Sequence, residues 1–101
     1  MNVLGVVPRS ENGYVLSGEL TFETVPVAWR ETQHLFVDGR SLHFDLANVG
    51  RADSAGIALL IEWLRLARQS GARVSYEHMP ASILAIARVT GLEAVLSPPA
   101  A

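Results

Sequence analysis

The sequence predicts an α/β domain: a mixed β-sheet that opens on a hairpin, with helices packed against it. Three patterns carry this expectation. Two β-branched runs, Val3 to Pro8 and Gly13 to Gly18, flank an Asn12-Gly13 pair, a strong short-range hairpin signal. A strand, a helix and a second strand then follow one another from Ser41 to His78. Such a crossover demands a parallel pair, nearly always with a right-handed connection. Helical segments lie before, within and after that unit, so the order is β-β-α-β-α-β-α.

The elements follow from their residues. Thr24 is placed to cap a first helix with Pro26 in its opening turn, where a missing N–H costs nothing. In that helix Val25, Trp29, Thr32 and Phe36 share one face at the 3.6-residue period, and Asp38-Gly39 ends it. Ser41 to Leu46 alternates as a strand, with Asp45 near its carboxyl end and a loop from Ala47 to Asp53 beyond it. A helix from Ser54 to Ser70 is stopped by Gly71. Arg73 to His78 forms the next strand. The last helix starts near Pro80 and stops at Gly91. A single domain over residues 1–97 is expected, with 98–101 as a flexible tail.

Bulk properties exclude several function classes. Half of the 101 residues are hydrophobic and 18% are charged, the balance of a folded globular chain. The longest apolar run is interrupted by Glu62 and Arg65, so it falls short of a membrane span. The first ten residues have neither a basic n-region nor an apolar h-region, so no secretory signal is expected and the cytosol is the simplest location. With no cysteine there is no disulfide, thiol nucleophile or thiolate metal site. All 8 basic residues are arginines, scattered from Arg9 to Arg88, and the net charge is −2. Nucleic acid needs a clustered basic face that this chain does not offer.

The candidate site is the turn before the long helix. In open α/β sheets, sites gather beyond the carboxyl ends of the strands, which should bring Asp45, Asn48, Asp53 and Ser54 together. Asp53 or Ser54 stands where a helix presents free N–H groups and a partial positive charge, and an acceptor side chain there is worth about 1 kcal/mol as a cap. A nucleophilic serine needs a base within reach. His34, His43 and His78 are remote from Ser54 in sequence and have no metal-ligand spacing, and no G-x-S-x-G or phosphate-loop motif surrounds the serine. Ser54 is therefore expected to cap the helix on a contact surface and not to act as a nucleophile, and no catalytic residue, cofactor or metal is expected.

The helix after Ser54 confines its polar residues Glu62, Arg65 and Gln69 to one narrow stripe. Two accounts of its wide apolar surface stay open. It is buried between the sheet and the last helix, or part of it, at Ala55, Ile57, Ala58 and Ile61, docks a partner. Trp29 is open in the same way, as a core residue or an interface anchor.

Taken together, "LHFDLANVGRADSAGIALLIEWLRLARQSGARVSY" resembles a STAS domain, the fold shared by sulfate transporters and anti-sigma factor antagonists. The shared features are a strand ending in Asp-Leu, a short loop, an Asp-Ser/Thr-x-Gly turn, a long apolar helix, a glycine and a further strand. Within the family the chain is most similar to the MlaB subgroup. "LSGEL" (Leu16 to Leu20), Pro26-x-x-Trp29 and "DSAGIALL" carry that likeness.

The resemblance implies a non-catalytic cytoplasmic subunit, peripheral to the inner membrane and not inserted in it. It would bind MlaF, the ATPase of the Mla phospholipid ABC transporter, within a complex that also holds permease and substrate-binding subunits. It would support assembly and activity of that complex in maintaining outer-membrane lipid asymmetry. Ser54 matches the family's hydroxyl residue, and Asp53 the aspartate before it. The alternative implied is an anti-sigma factor antagonist with Ser54 as phosphoacceptor, although those proteins often carry a second serine where this chain has Ala55. Phosphate at a helix N-terminus suits the dipole, but beside Asp53 it would add like charge to a docked surface.

Overall fold

A computed structural model of the chain describes residues 4–96. Among these residues the order is β1 (Leu4–Ser10), β2 (Gly13–Leu20), α1 (Val25–Thr32), β3 (Ser41–Ala52), α2 (Ser54–Ser70), β4 (Arg73–Glu77), α3 (Ala81–Thr90) and α4 (Glu93–Leu96), with a 3-10 turn at Gln33–Leu35. The sheet runs β1-β2-β3-β4. Its first pair is antiparallel and the other two are parallel. The mixed sheet, the opening hairpin and the crossover from β3 through α2 to β4 are as the sequence predicts. The hairpin turn itself is Glu11-Asn12, because Ser10 pairs with Gly13. Asn12 takes the left-handed φ of 63° that this side chain tolerates.

The helices cover one face of the sheet. Along β3, Leu42, Phe44 and Leu46 are fully buried while Ser41 and His43 are exposed, the two-residue period of a half-covered strand. Phe44 stacks on Trp63 of α2 at 4.5 Å and on Tyr76 of β4 at 6.3 Å between ring centroids. Each polar tip in this aromatic centre finds a partner, as burial requires. The Trp63 Nε1–H donates to Thr32 Oγ1 at 2.8 Å, and the Tyr76 hydroxyl donates to the Leu60 carbonyl at 2.6 Å. Burial pushes the Tyr76 phenol well above its usual pKa. These two bonds tie α2 to α1 and to β4, and so fix how its N-terminal end is presented.

The structure corrects the sequence reading in several places. Ala47 to Ala52 is not a loop but the second half of β3, paired with β2 alone. Two register shifts, opposite Val15/Ser17 and Gly18/Leu20, insert extra residues into β3. They destroy the strict alternation by which a strand is recognised. The first helix ends at Thr32, short of the expected Asp38-Gly39, and tightens into the 3-10 turn, where Leu35 at its end and Phe36 just beyond are both buried.

Thr24 occupies the N-cap position of α1 without capping it. Its hydroxyl turns back, donating to the Glu19 carbonyl at 2.7 Å and accepting from the Thr21 N–H at 3.0 Å. β4 stops at Glu77, one residue short of His78, which adopts a left-handed φ of 56°. The short α4 was not anticipated. The tail at 98–101 and the domain boundary at 97 lie outside the described residues. Among the described residues no helix is long and apolar enough to cross a membrane.

Candidate functional site

The head of α2 is built by Asp53. With extended backbone at the N-cap, its Oδ1 accepts the Ala55 N–H at 2.9 Å. Its Oδ2 accepts the Phe22 N–H at 3.2 Å, and its own N–H donates to the Leu20 carbonyl at 3.1 Å. One carboxylate thus satisfies a free helix donor and fastens the β2–α1 turn to α2. Capping belongs to Asp53, which corrects the expectation that Ser54 caps the helix. Ser54 is the first residue of α2 and is exposed, and among the described residues no hydrogen bond to its hydroxyl is formed. Free of the cap, that hydroxyl is available to a partner.

Gly56 explains the glycine of the Asp-Ser-x-Gly turn. A Cβ there would stand 2.8 Å from the Leu20 carbonyl oxygen and 3.0 Å from Leu20 Cβ. Only glycine lets the first turn of α2 press directly on the end of β2.

Two open apolar grooves, each ≈ 250 Å³, flank the N-terminal half of α2. One lies towards α3 and is lined by Ser54, Ile57, Ala58 and Ile61 with Ile86, Thr90 and Leu92. The other lies towards α1 and is lined by Val25, Pro26 and Trp29 with Ala58, Leu59 and Glu62. Ala58 is exposed and belongs to both. Of the residues singled out from sequence, Ser54, Ala58, Ile61 and Trp29 reach this surface, and Ala55 is half-buried beside it. Ile57 is 4% exposed and is chiefly a core residue whose edge floors one groove. Trp29 answers both accounts at once, packing on the core while lining a groove.

Sequence patterning missed Phe22, which is 81% exposed on the turn that Asp53 fastens. It lies between a strand and a helix, where no periodicity marks an outward side chain. The contribution of Ile86, Thr90 and Leu92 was also missed, because it depends on how α3 packs against α2.

Asp45 does not join this site. Because β3 continues past it, Asp45 sits eight residues before Asp53, on the order of 20 Å along the strand. Its carboxylate accepts the Ala47 N–H at 2.9 Å, pairs with Arg9 at 2.7 Å and meets His78 Nδ1 at 2.9 Å. The Ala47 N–H, then His78 and Arg9, hold its pKa below the ordinary value, against the raising effect of burial. Ligand atoms of Asp45, Glu77 and His78 lie within 4.8 Å of one another, a spacing that could suit a metal ion. Arg9 already supplies positive charge there, so a cation would have to displace its guanidinium. Arg9 reaches Asp45 because β1 bulges between Pro8 and Ser10. His43, on β3, meets Ser75 at 2.6 Å, and neither it nor His78 hydrogen-bonds Ser54.

Comparison with known proteins places this geometry. Residues 9–97 match the family model described as "Mlab, STAS domain". Among solved structures, the anti-sigma factor antagonist SpoIIAA in its unphosphorylated form matches with a TM-score of 0.64 at 13% identity, covering 84% of this chain and 81% of that one. The murine Solute Carrier 26 family member A9 anion transporter, in its inward-facing state, matches at 0.62 and 15% identity over 81% of this chain. Mglu matches at 0.59 and 24% identity over 76%. The chain spans only 14% and 20% of those last two proteins. At such identities the structures share a fold. No curated protein sequence matches the chain.

Proposed function

The chain belongs to the STAS domain family, and from that premise we propose that it is a non-catalytic docking subunit of the Mla phospholipid ABC transporter. It binds the ATPase MlaF through the head of α2 and works at the cytoplasmic face of the inner membrane, without entering the bilayer. The complex, with its permease and substrate-binding subunits, maintains outer-membrane lipid asymmetry.

The observation that carries this reading is the pair of apolar grooves meeting at the exposed Ala58, beside an exposed Ser54. Apolar concavities on both sides of the exposed Ala58 ridge of α2 suit a partner that straddles it, in the manner of helix-in-groove recognition. The Asp53 cap and the close contact at Gly56 hold the surface in one shape, which lowers the ordering cost of association. Docking activates the ATPase if it binds the assembled, competent state more tightly than the others.

The test is co-purification with the ATPase from the Gram-negative host, followed by Ser54→Glu and Ala58→Glu. Both positions are exposed, so the variants are expected to fold and to lose the ATPase. Folded variants that still recover it at the unaltered level would sink the proposal.

A second reading, an anti-sigma factor antagonist switched by phosphorylation, is favoured by one observation: the exposed Ser54 hydroxyl makes no hydrogen bond among the described residues. Recovery of a serine kinase, with phosphate on Ser54, would establish it instead.

A further inference from the structure

We propose that Asp45, Glu77 and His78 form a Zn²⁺ site, in which the Arg9 guanidinium stands in for the ion. The site lies apart from the head of α2, so it neither needs nor supports the docking reading. No spacing in the sequence marks it, because Asp45 and His78 are 33 positions apart.

Asp45 and Glu77 are directly paired positions on the adjacent parallel strands β3 and β4. Carboxylates opposed in this way repel unless positive charge lies between them. Arg9 meets that need unevenly, with its guanidinium 2.7 Å from Asp45 but 4.0 Å from Glu77. Among the described residues Glu77 accepts no hydrogen bond, so its carboxylate keeps its capacity for a cation. His78 makes the cluster more than acidic, since its Nδ1 lies 2.9 Å from Asp45 Oδ1.

An imidazole with two carboxylates is a donor set for Zn²⁺, whereas Mg²⁺ and Ca²⁺ take oxygen donors. One ligand atom from each residue lies within 4.8 Å of the other two. Tetrahedral bonds of about 2.0–2.2 Å place donors about 3.4 Å apart, so the three must close by roughly 1 Å. Asp45 is the fixed member, buried and aimed by the Ala47 N–H at 2.9 Å. Glu77 and His78, with side chains 48% and 63% exposed, have the freedom to close that distance. Arg9 is the competitor. Its side chain is 42% exposed, and an ion pair so open to water yields to a doubly charged ion.

The test is calorimetric titration of the untagged full-length chain with ZnCl₂. One ion should bind per chain and raise the thermal unfolding temperature, because the native state alone assembles the three ligands. His78→Ala should weaken binding by about tenfold or more. Its unfolding in EDTA should match that of the unaltered chain, which separates a lost ligand from a lost fold. Arg9→Ala should bind more tightly, because the competing cation is gone. His34→Ala, in the 3-10 turn, should bind normally. Four results would each overturn the site: no saturable binding, His78→Ala within about twofold of the unaltered chain, Arg9→Ala binding no more tightly, or an equal loss with His34→Ala.

Discussion

Asp53 and Phe22, 31 residues apart, are joined by a carboxylate-to-backbone hydrogen bond of 3.2 Å, and the same carboxylate caps α2. The two turns that frame the candidate site are therefore one unit. Asp53→Ala should destabilise the fold by about 1–2 kcal/mol, the usual range for a lost cap. Asp53→Asn keeps one acceptor oxygen and can satisfy only one of the two N–H groups, so it should fall between. Urea unfolding of the three proteins checks the order, and equal stability of Ala and Asn would refute the shared role.

Gly56→Ala separates helix propensity from packing. Alanine favours a helix over glycine by about 1 kcal/mol. Here its methyl would meet backbone of β2 at 2.8 Å, which cannot swing aside like a side-chain end. Overpacking costs of about 1–3 kcal/mol should win. The variant should unfold at lower denaturant, and a stabilised protein would show that the contact is soft.

Thr32→Val should cost about 1–3 kcal/mol by leaving the fully buried Trp63 Nε1–H without its acceptor. Valine preserves shape, so lost packing contributes little. A double-mutant cycle with Trp63→Phe reads the coupling. Additive losses in that cycle would mean that the bond contributes nothing of its own.

The Asp45 network predicts an acid limb of stability. The carboxyl is held below its ordinary value of 3.8 in the folded chain. Its stabilisation is therefore present above the unfolded pKa and disappears as the pH falls through the folded one. Denaturant midpoints followed from neutral pH to about pH 2.5 should drop on the acid side. Asp45→Asn should flatten that drop while costing stability at neutral pH. An identical acid limb in the variant would assign it to other carboxylates.

Much of the fold is legible in the chain because local signals and global packing agree. The helix at Ser54–Ser70 begins and ends at the predicted residues, since Asp53 and Gly71 are strong stop signals at both ends and the apolar pattern between them is dense. The second half of β3 is not legible. Its two bulges and its missing β4 neighbour remove both the alternation and the burial that mark a strand. The cluster of Asp45, Arg9 and His78 joins residues 36 and 33 positions apart, through a bulge and a left-handed residue that leave no pattern in the letters.

The candidate site divides in the same way. By itself the sequence determined the α/β class, the family resemblance, the turn at Asp53 and Ser54, and the apolar character of α2. These are properties of short segments, where spacing and side-chain chemistry act within a few residues. Only the tertiary structure decided that Asp53 and not Ser54 caps the helix, that Ile57 faces the core while Ala58 joins two grooves, and that Phe22 is exposed on the turn that Asp53 fastens. Those outcomes depend on which surfaces β2, α1 and α3 leave uncovered around α2, and coverage is set by contacts between segments far apart in the chain.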